Sequence, residues 1–157
     1  MLQNEAQNNY FVRIPKAMVN SDGNSQFLFT FIALNRSMDY YCNLSLDMIY
    51  KYTNSGTNRT TYNKYINKWK QILLHFRKEN IIDFSVDLEN INSKEWIYLQ
   101  TNVDYLNDDN KGFILMNRKE FDKIVKDNSM NLNTKINILQ MYYYTTFQEI
   151  QAQKAGK

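Results

Sequence analysis

One cysteine, one proline, one histidine and four glycines among 157 residues rule out several kinds of protein. Cys42 alone supplies neither a disulfide framework nor a zinc knuckle, so it is expected as a small buried apolar side chain in a reducing, cytoplasmic setting. Gly23, Gly56, Gly112 and Gly156 are too scattered for a phosphate-cradling loop, and no nucleophile elbow or HExxH helix occurs. His75 has no second His or Cys beside it and reads as structural, not as a metal ligand. "DDNKG" (Asp108 to Gly112) opens like a calcium loop but lacks the downstream Glu, and reads as a turn. These absences predict a non-enzyme with no catalytic residue, cofactor or metal. The longest uncharged apolar run lies around "FLFTFIAL" (Phe27 to Leu34), far too short to span a bilayer, and "MLQNEAQNN" has no basic region leading into an apolar one. No membrane association or export is expected.

What is present suits a folded chain of about one domain: 43% apolar residues and 15% aromatics supply a core. The 22 Asn and 12 Tyr fit an AT-rich coding sequence, as in a low-GC bacterium or its mobile elements. The net charge of +3 is unevenly spread. Residues 1–50 carry −1, 51–78 carry +7 with no acid at all, 79–110 carry −7, and 111–157 carry +4. A concentrated cation therefore sits next to a concentrated anion.

Along the chain, "YFVRIPKAMV" reads as an extended lead-in, because Ile14 precedes the proline and is biased away from helix. "SDGN" reads as a turn or helix start. Leu28, Phe31 and Ile32 recur at helical spacing, so residues 25 to about 37 are expected as a helix capped by Ser25. "YYCNL" is strand-like, and Ser45 caps a brief helix with Leu46, Ile49 and Tyr50 inward. After "NSG" comes the longest periodic stretch, Tyr62, Ile66, Trp69, Leu73 and Phe76, the apolar stripe of one amphipathic helix. Trp69 and Phe76 are expected in the core and not as base-stacking platforms. "IIDFSV" and "EWIYLQ" then read as two strands of a hairpin around the loop "DLENINSK".

That order predicts a mainly α, α+β fold: a winged helix-turn-helix with a hairpin wing, followed by a helical C-terminal segment. The charged helix would be its reading element, with Thr57, Asn58, Arg59, Thr60, Asn63, Lys64, Asn67, Lys68 and Lys70 as the DNA-binding residues. Asn and Arg carry donor and acceptor pairs that match adenine and guanine edges. A helix N-terminus favours phosphate, and the lysines add point charges for the duplex backbone. An ordinary solvated helix would intersperse acids at i, i+4, and this one has none.

The segments "YFVRIPKAMV", "SQFLFTFIALNRS", "LSLDMIYKYT" and "NRTTYNKYINKWKQILLHFRKENIID" resemble the N-terminal winged-helix domains of replication initiators and replisome organisers of low-GC bacteria, plasmids and phages, the RepA_N and DnaD-like families. The resemblance covers residues 10–86. It implies a DNA-binding or oligomerising module of DNA replication, with double-stranded DNA, further copies of the chain (a dimer or higher) and other replication proteins as partners.

The expected layout is a flexible N-terminus at 1–9, the winged helix at 10–100, an acidic connector at 101–111, a helical segment at 112–150 and a tail at 151–157. "GFILMNRKEF" echoes "YFVRIPKAMV", and "NTKINILQMYYYTTF" echoes the first helix, so either a second winged helix starts near Lys111 or the two segments share only the pattern of any lead-in followed by an amphipathic helix. One feature opposes the DNA reading. The wing "VDLENINSKEW" is acidic at Asp87, Glu89 and Glu95, with Lys94 as its only base, and would repel phosphate. This motivates an alternative, a scaffold module in which the acidic wing of one copy meets the basic helix of another. A winged-helix transcriptional regulator is a further reading of the same helix.

Overall fold

Ten consecutive residues, Ser25 to Leu34, are buried in one helix, and the remaining elements pack around it. The computed structural model describes residues 11–36, 40–107 and 112–155, with side chains as far as residue 146. Its elements are β1 (Phe11–Pro15), α1 (Lys16–Val19), the central α2 (Gly23–Asn35), β2 (Tyr41–Leu44), α3 (Leu46–Lys51), α4 (Arg59–Lys78), β3 (Ile82–Asp83), β4 (Ile97–Thr101), α5 (Val103–Leu106), β5 (Phe113–Asn117), α6 (Arg118–Val125) and α7 (Leu132–Ala155). Among the described residues this is a mainly helical α+β chain with two small antiparallel sheets.

Helix α2 is apolar on every side because each side meets a neighbour. Phe27 lies against Trp69 and Phe29 against Phe76, both on α4, with ring centroids 5.8 and 6.4 Å apart. On another side the Thr30 hydroxyl lies 2.6 Å from the Tyr143 hydroxyl of α7 and donates to the Gln26 carbonyl at 2.7 Å. Its one proton is thereby used, so Tyr143 is the donor between the two hydroxyls. Where α2 begins, α7 comes so close that a Cβ on Gly23 would stand 2.4 Å from Cγ2 of Ile136. A single hydrophobic cluster extends from Val12 to Tyr143, so β5, α6 and α7 share one core with α2 and α4.

Two local expectations are corrected. The cap of α2 is Asp22, not Ser25: Asp22 accepts from the Ser25 N–H at 3.0 Å and from its hydroxyl at 2.8 Å. A carboxylate three residues ahead of a serine takes the capping geometry and leaves the serine in the first turn. The lead-in is extended only as far as Pro15. Lys16–Val19 form a one-turn helix, for which the fixed φ of Pro15 makes a suitable N-cap.

Strand β1 pairs antiparallel with β5, setting Val12 against Met116 and Ile14 against Ile114 on the buried side. The two echoing segments of the sequence therefore meet as partners, and each runs from its strand directly into a helix. The second sheet has the order β2–β4–β3. Its first hairpin strand is shorter than the sequence suggests, with only Ile82 and Asp83 paired. Asp83 accepts from the N–H of Phe84, and Phe84 and Leu88 turn into the core, which draws the following loop off the strand direction. Within the stretch expected as a connector, Asn102 caps α5 by accepting from the Asp104 N–H.

Candidate nucleic-acid interface

The α3–turn–α4 unit is assembled by aromatic packing and fixed by polar contacts. Ser45 caps α3, accepting from the Met48 N–H at 3.1 Å. Tyr50 of α3 lies edge-on to Tyr62 of α4 at 4.8 Å and tilted to Tyr65 at 6.0 Å, and Tyr65 stacks on Trp69. The turn carries two left-handed residues, Asn54 (φ 52°) and Gly56 (φ 85°). Gly56 tolerates this without steric cost, and its carbonyl accepts from the Tyr50 hydroxyl at 2.9 Å. Asn54 is held by its amide, which donates to the carbonyls of Asp127 and Met130 at 2.7 and 2.6 Å.

This turn is buttressed from the C-terminal third. Lys135 of α7 is fully buried, and its ammonium donates to the carbonyls of Tyr52 and Val125, both at 2.6 Å. These carbonyls stand at the C-terminal ends of α3 and α6, where the helix dipole favours a cation. Desolvation lowers the lysine's pKa from its ordinary value, and the nearby Asp127 works against that. Neither Asn54 nor Lys135 stands out in the sequence. An asparagine before a serine and glycine hints at a left-handed turn, but a lysine on a polar helix face carries no mark of burial.

Helix α4 spans 20 residues and is fixed by the expected stripe: Ile66, Trp69, Leu73 and Phe76 are buried. Tyr62, the fifth member, is only half-buried and serves a polar role. Its hydroxyl lies 2.5 Å from the Asp47 carboxylate and 2.6 Å from the Ser93 hydroxyl. The phenol has one proton, which goes to the carboxylate, and the serine gives its own to the phenol oxygen. Burial first and the Asp47 acceptor second raise the Tyr62 pKa. Ser93 belongs to the acidic loop, and its carbonyl also accepts from the Asp47 N–H at 2.9 Å. The loop is thus pinned beside the start of α4. Several of its polar groups close on themselves: Asp87 accepts from the Glu89 N–H and the Asn90 amide, and Glu95 from the Asn92 N–H.

The structure gathers the predicted site residues unequally. Arg59, Thr60, Asn63, Lys64 and Asn67 are exposed together on the face of α4 opposite its buried stripe. Thr57 is exposed in the turn. Asn58 is the N-cap: its side-chain carbonyl accepts from the N–H groups of Thr60 and Thr61 at 2.9 and 3.2 Å. Its amide NH2 alone is left for a further partner, and two of the N–H groups of the helix start are already satisfied. Lys68 and Lys70 are half-buried and flank the face on opposite edges, with the Lys68 ammonium 5.4 Å from the Tyr65 ring centre. Gln71, which the sequence reading leaves out, is exposed on the same side, one turn beyond Asn67. His75 is exposed in the last stretch of the helix. Among the described residues no carboxylate pairs with Arg59, Lys64, Lys68 or Lys70. The acid-free sequence removes i, i+4 partners, and the tertiary fold supplies none in their place.

No protein-family model matches the chain, and neither a curated protein nor a solved structure is significantly similar to it.

Proposed function

We propose that this chain is a winged-helix DNA-binding protein of the replication-initiator or replisome-organiser type, with α4 reading double-stranded DNA. The observation that carries the reading is the solvent face of α4: Arg59, Thr60, Asn63, Lys64 and Asn67, exposed together, with no carboxylate paired to their cations among the described residues, on a helix anchored by buried Ile66, Trp69, Leu73 and Phe76. A free cationic face of this length is complementary to a polyanion, and its mix of Arg and Asn fits base edges in a major groove. The arrangement of elements agrees with it. A helix, an edge strand, a short helix, a turn, a long helix and a hairpin, with sheet order β2–β4–β3, form an order compatible with a winged helix-turn-helix. In that reading β3, β4 and the loop between them are the wing. Ser93 ties it to Asp47 and Tyr62, so the wing stands beside the start of α4 with Asp87, Glu89 and Glu95 exposed, where it opposes phosphate, and the reading assigns the DNA contacts to α4 alone.

The test is duplex binding by Arg59→Ala and Lys64→Ala across a salt series. Loss of one phosphate contact lowers the slope of log K against log salt by about one, whereas loss of a base contact costs about 1–3 kcal/mol and relaxes specificity at one position. Two variants that bind as tightly as the parent, with an unchanged slope, refute the proposal.

A second reading, a scaffold in which the acidic loop of one copy meets α4 of another, is favoured by the exposure of Asp87, Glu89 and Glu95. It predicts self-association at low salt that added salt abolishes, without retention of DNA at the same salt.

A further inference from the structure

The outward side of the β2–β4–β3 sheet bears an aromatic surface that neither the core nor the α4 face uses. Along β4 burial alternates strictly, and Trp96 continues that alternation just ahead of the strand. Ile97 and Leu99 face the core while Trp96, Tyr98 and Gln100 face out, with Trp96 65% and Tyr98 56% exposed. On β2, Cys42 and Leu44 are buried and Tyr41 turns outward. The Tyr41 and Tyr98 rings stack with centroids 4.8 Å apart and planes 12° apart, making a flat platform, and exposed Trp96 lies two residues before Tyr98 in the alternation. No described element covers it.

The surroundings define what would settle there. Asp83 faces Gln100 across β3–β4, and Gln100 faces Tyr41 across β2–β4, so a carboxylate borders the platform in that row. Exposed Glu95 adjoins Trp96 in the chain. Two bases lie on that border: Lys94, exposed two residues before Trp96, and Arg77, which lines the Asp83–Gln100 side but is committed elsewhere, its guanidinium 4.4 Å from the Phe84 ring centre and donating to the Phe84 carbonyl. Flat rings flanked by carboxylates repel the phosphates of a nucleic-acid strand, although bases would stack on them. The same surface suits a planar cation, which stacks on the aromatic faces and forms paired hydrogen bonds with the acids.

We propose that the Tyr41–Trp96–Tyr98 face is a docking surface for an arginine-bearing segment of a partner protein, whose guanidinium groups lie on the rings and pair with Asp83 and Glu95. The surface uses none of the residues of the exposed α4 face, so variants at its rings test this interaction apart from DNA binding.

The two tryptophans make the test direct, because Trp69 is fully buried and Trp96 is the exposed one. Titration of the full chain with a short oligoarginine peptide should change Trp96 emission. Oligolysine of the same length should bind more weakly, since an ammonium does not stack as a guanidinium does. Trp96→Ala and Tyr98→Ala, followed by calorimetry, should each weaken oligoarginine binding roughly five- to tenfold. Both side chains are more than half exposed, so the fold should survive, and an unchanged far-UV spectrum checks this. Asp83→Asn with Glu95→Gln supplies an independent variant that leaves the rings in place and should also weaken binding. The proposal is overturned if oligoarginine does not bind, or if it binds the ring variants as well as the parent. Equal binding of oligolysine overturns it as well, by reducing the surface to a plain acidic patch. So does quenching of Trp96 by oligothymidylate, which would make the platform a single-strand site, or self-association lost in Trp96→Ala, which would make the occupant a second copy.

Discussion

The Lys135 ammonium reaches across 83 residues of sequence to donate to the Tyr52 carbonyl at 2.6 Å, and in doing so joins α7 to the end of α3. The same nitrogen holds the Val125 carbonyl at 2.6 Å. Lys135→Met keeps much of the apolar stem and removes both donors, leaving two carbonyls without their partner. It should lower stability by about 2–3 kcal/mol in urea unfolding. A change within 0.5 kcal/mol, on the order of an ordinary surface substitution, would show that the two bonds do not matter to the fold.

Asn54 combines a left-handed backbone with two side-chain bonds to the α6–α7 loop, and two substitutions separate those contributions. Asn54→Gly keeps the backbone at ease and loses the bonds, at about 1–2 kcal/mol. Asn54→Ala loses the bonds and also strains φ, for about 1 kcal/mol more. Equal stability of the two variants in thermal and urea unfolding would contradict the assignment of strain to this position.

Tyr62→Phe removes the phenol that binds Asp47 and Ser93, while its ring still fills the place against Tyr50. The expected cost is about 1–2 kcal/mol, and the effect should be local. Amide exchange should quicken through residues 84–96 and stay unchanged in α2. Uniform quickening across the chain would mean that the loop and the core open together.

The α2 cap predicts a pH dependence. Burial pushes the Asp22 pKa up, but the hydrogen bonds from Ser25, together with those from the Asp22 and Asn24 backbone, outweigh it and leave the pKa below the ordinary carboxylate value of 3.8. The cap's electrostatic contribution is therefore complete above about pH 4, where the unfolded chain's Asp22 is also ionised, and it is lost as pH falls through the lower folded value. Asp22→Asn keeps an acceptor that does not titrate, so its stability should fall less steeply than the parent's between about pH 4 and pH 2. Parallel acid limbs for the two proteins would exclude a role for this carboxylate.

How far the sequence foretold the structure depended on the range of the signal. The stripe of α4 was legible because Ile66, Trp69, Leu73 and Phe76 repeat at 3.6-residue spacing, a pattern contained within one element. The Ser45 cap was legible for the same local reason. The α2 cap is not legible in the same way, because "SDGNS" offers several capping side chains and only the geometry selects Asp22. Pairing of β1 with β5 could not be inferred, since their resemblance suggests repetition and says nothing of contact. Burial of Lys135 was equally hidden, because its stabilisation comes from two carbonyls distant in sequence. At the α4 face, exposure follows from periodicity, whereas the tie between Ser93, Asp47 and Tyr62 depends on where the loop folds back.

The Thr30–Tyr143 contact has a consequence for how the chain is made. Helix α2 leaves the ribosome before α7, and the residue that covers its Thr30 side is synthesised 113 positions later. At about 5–20 residues per second, that side stays uncovered for roughly 6–23 s, far longer than a helix takes to form. During that interval the nascent chain carries an apolar helix covered by α4 and not by α7, a form suited to capture by a chaperone. Slow translation of the last third would prolong it, and mutations in α7 would act first on the yield of folded protein during synthesis.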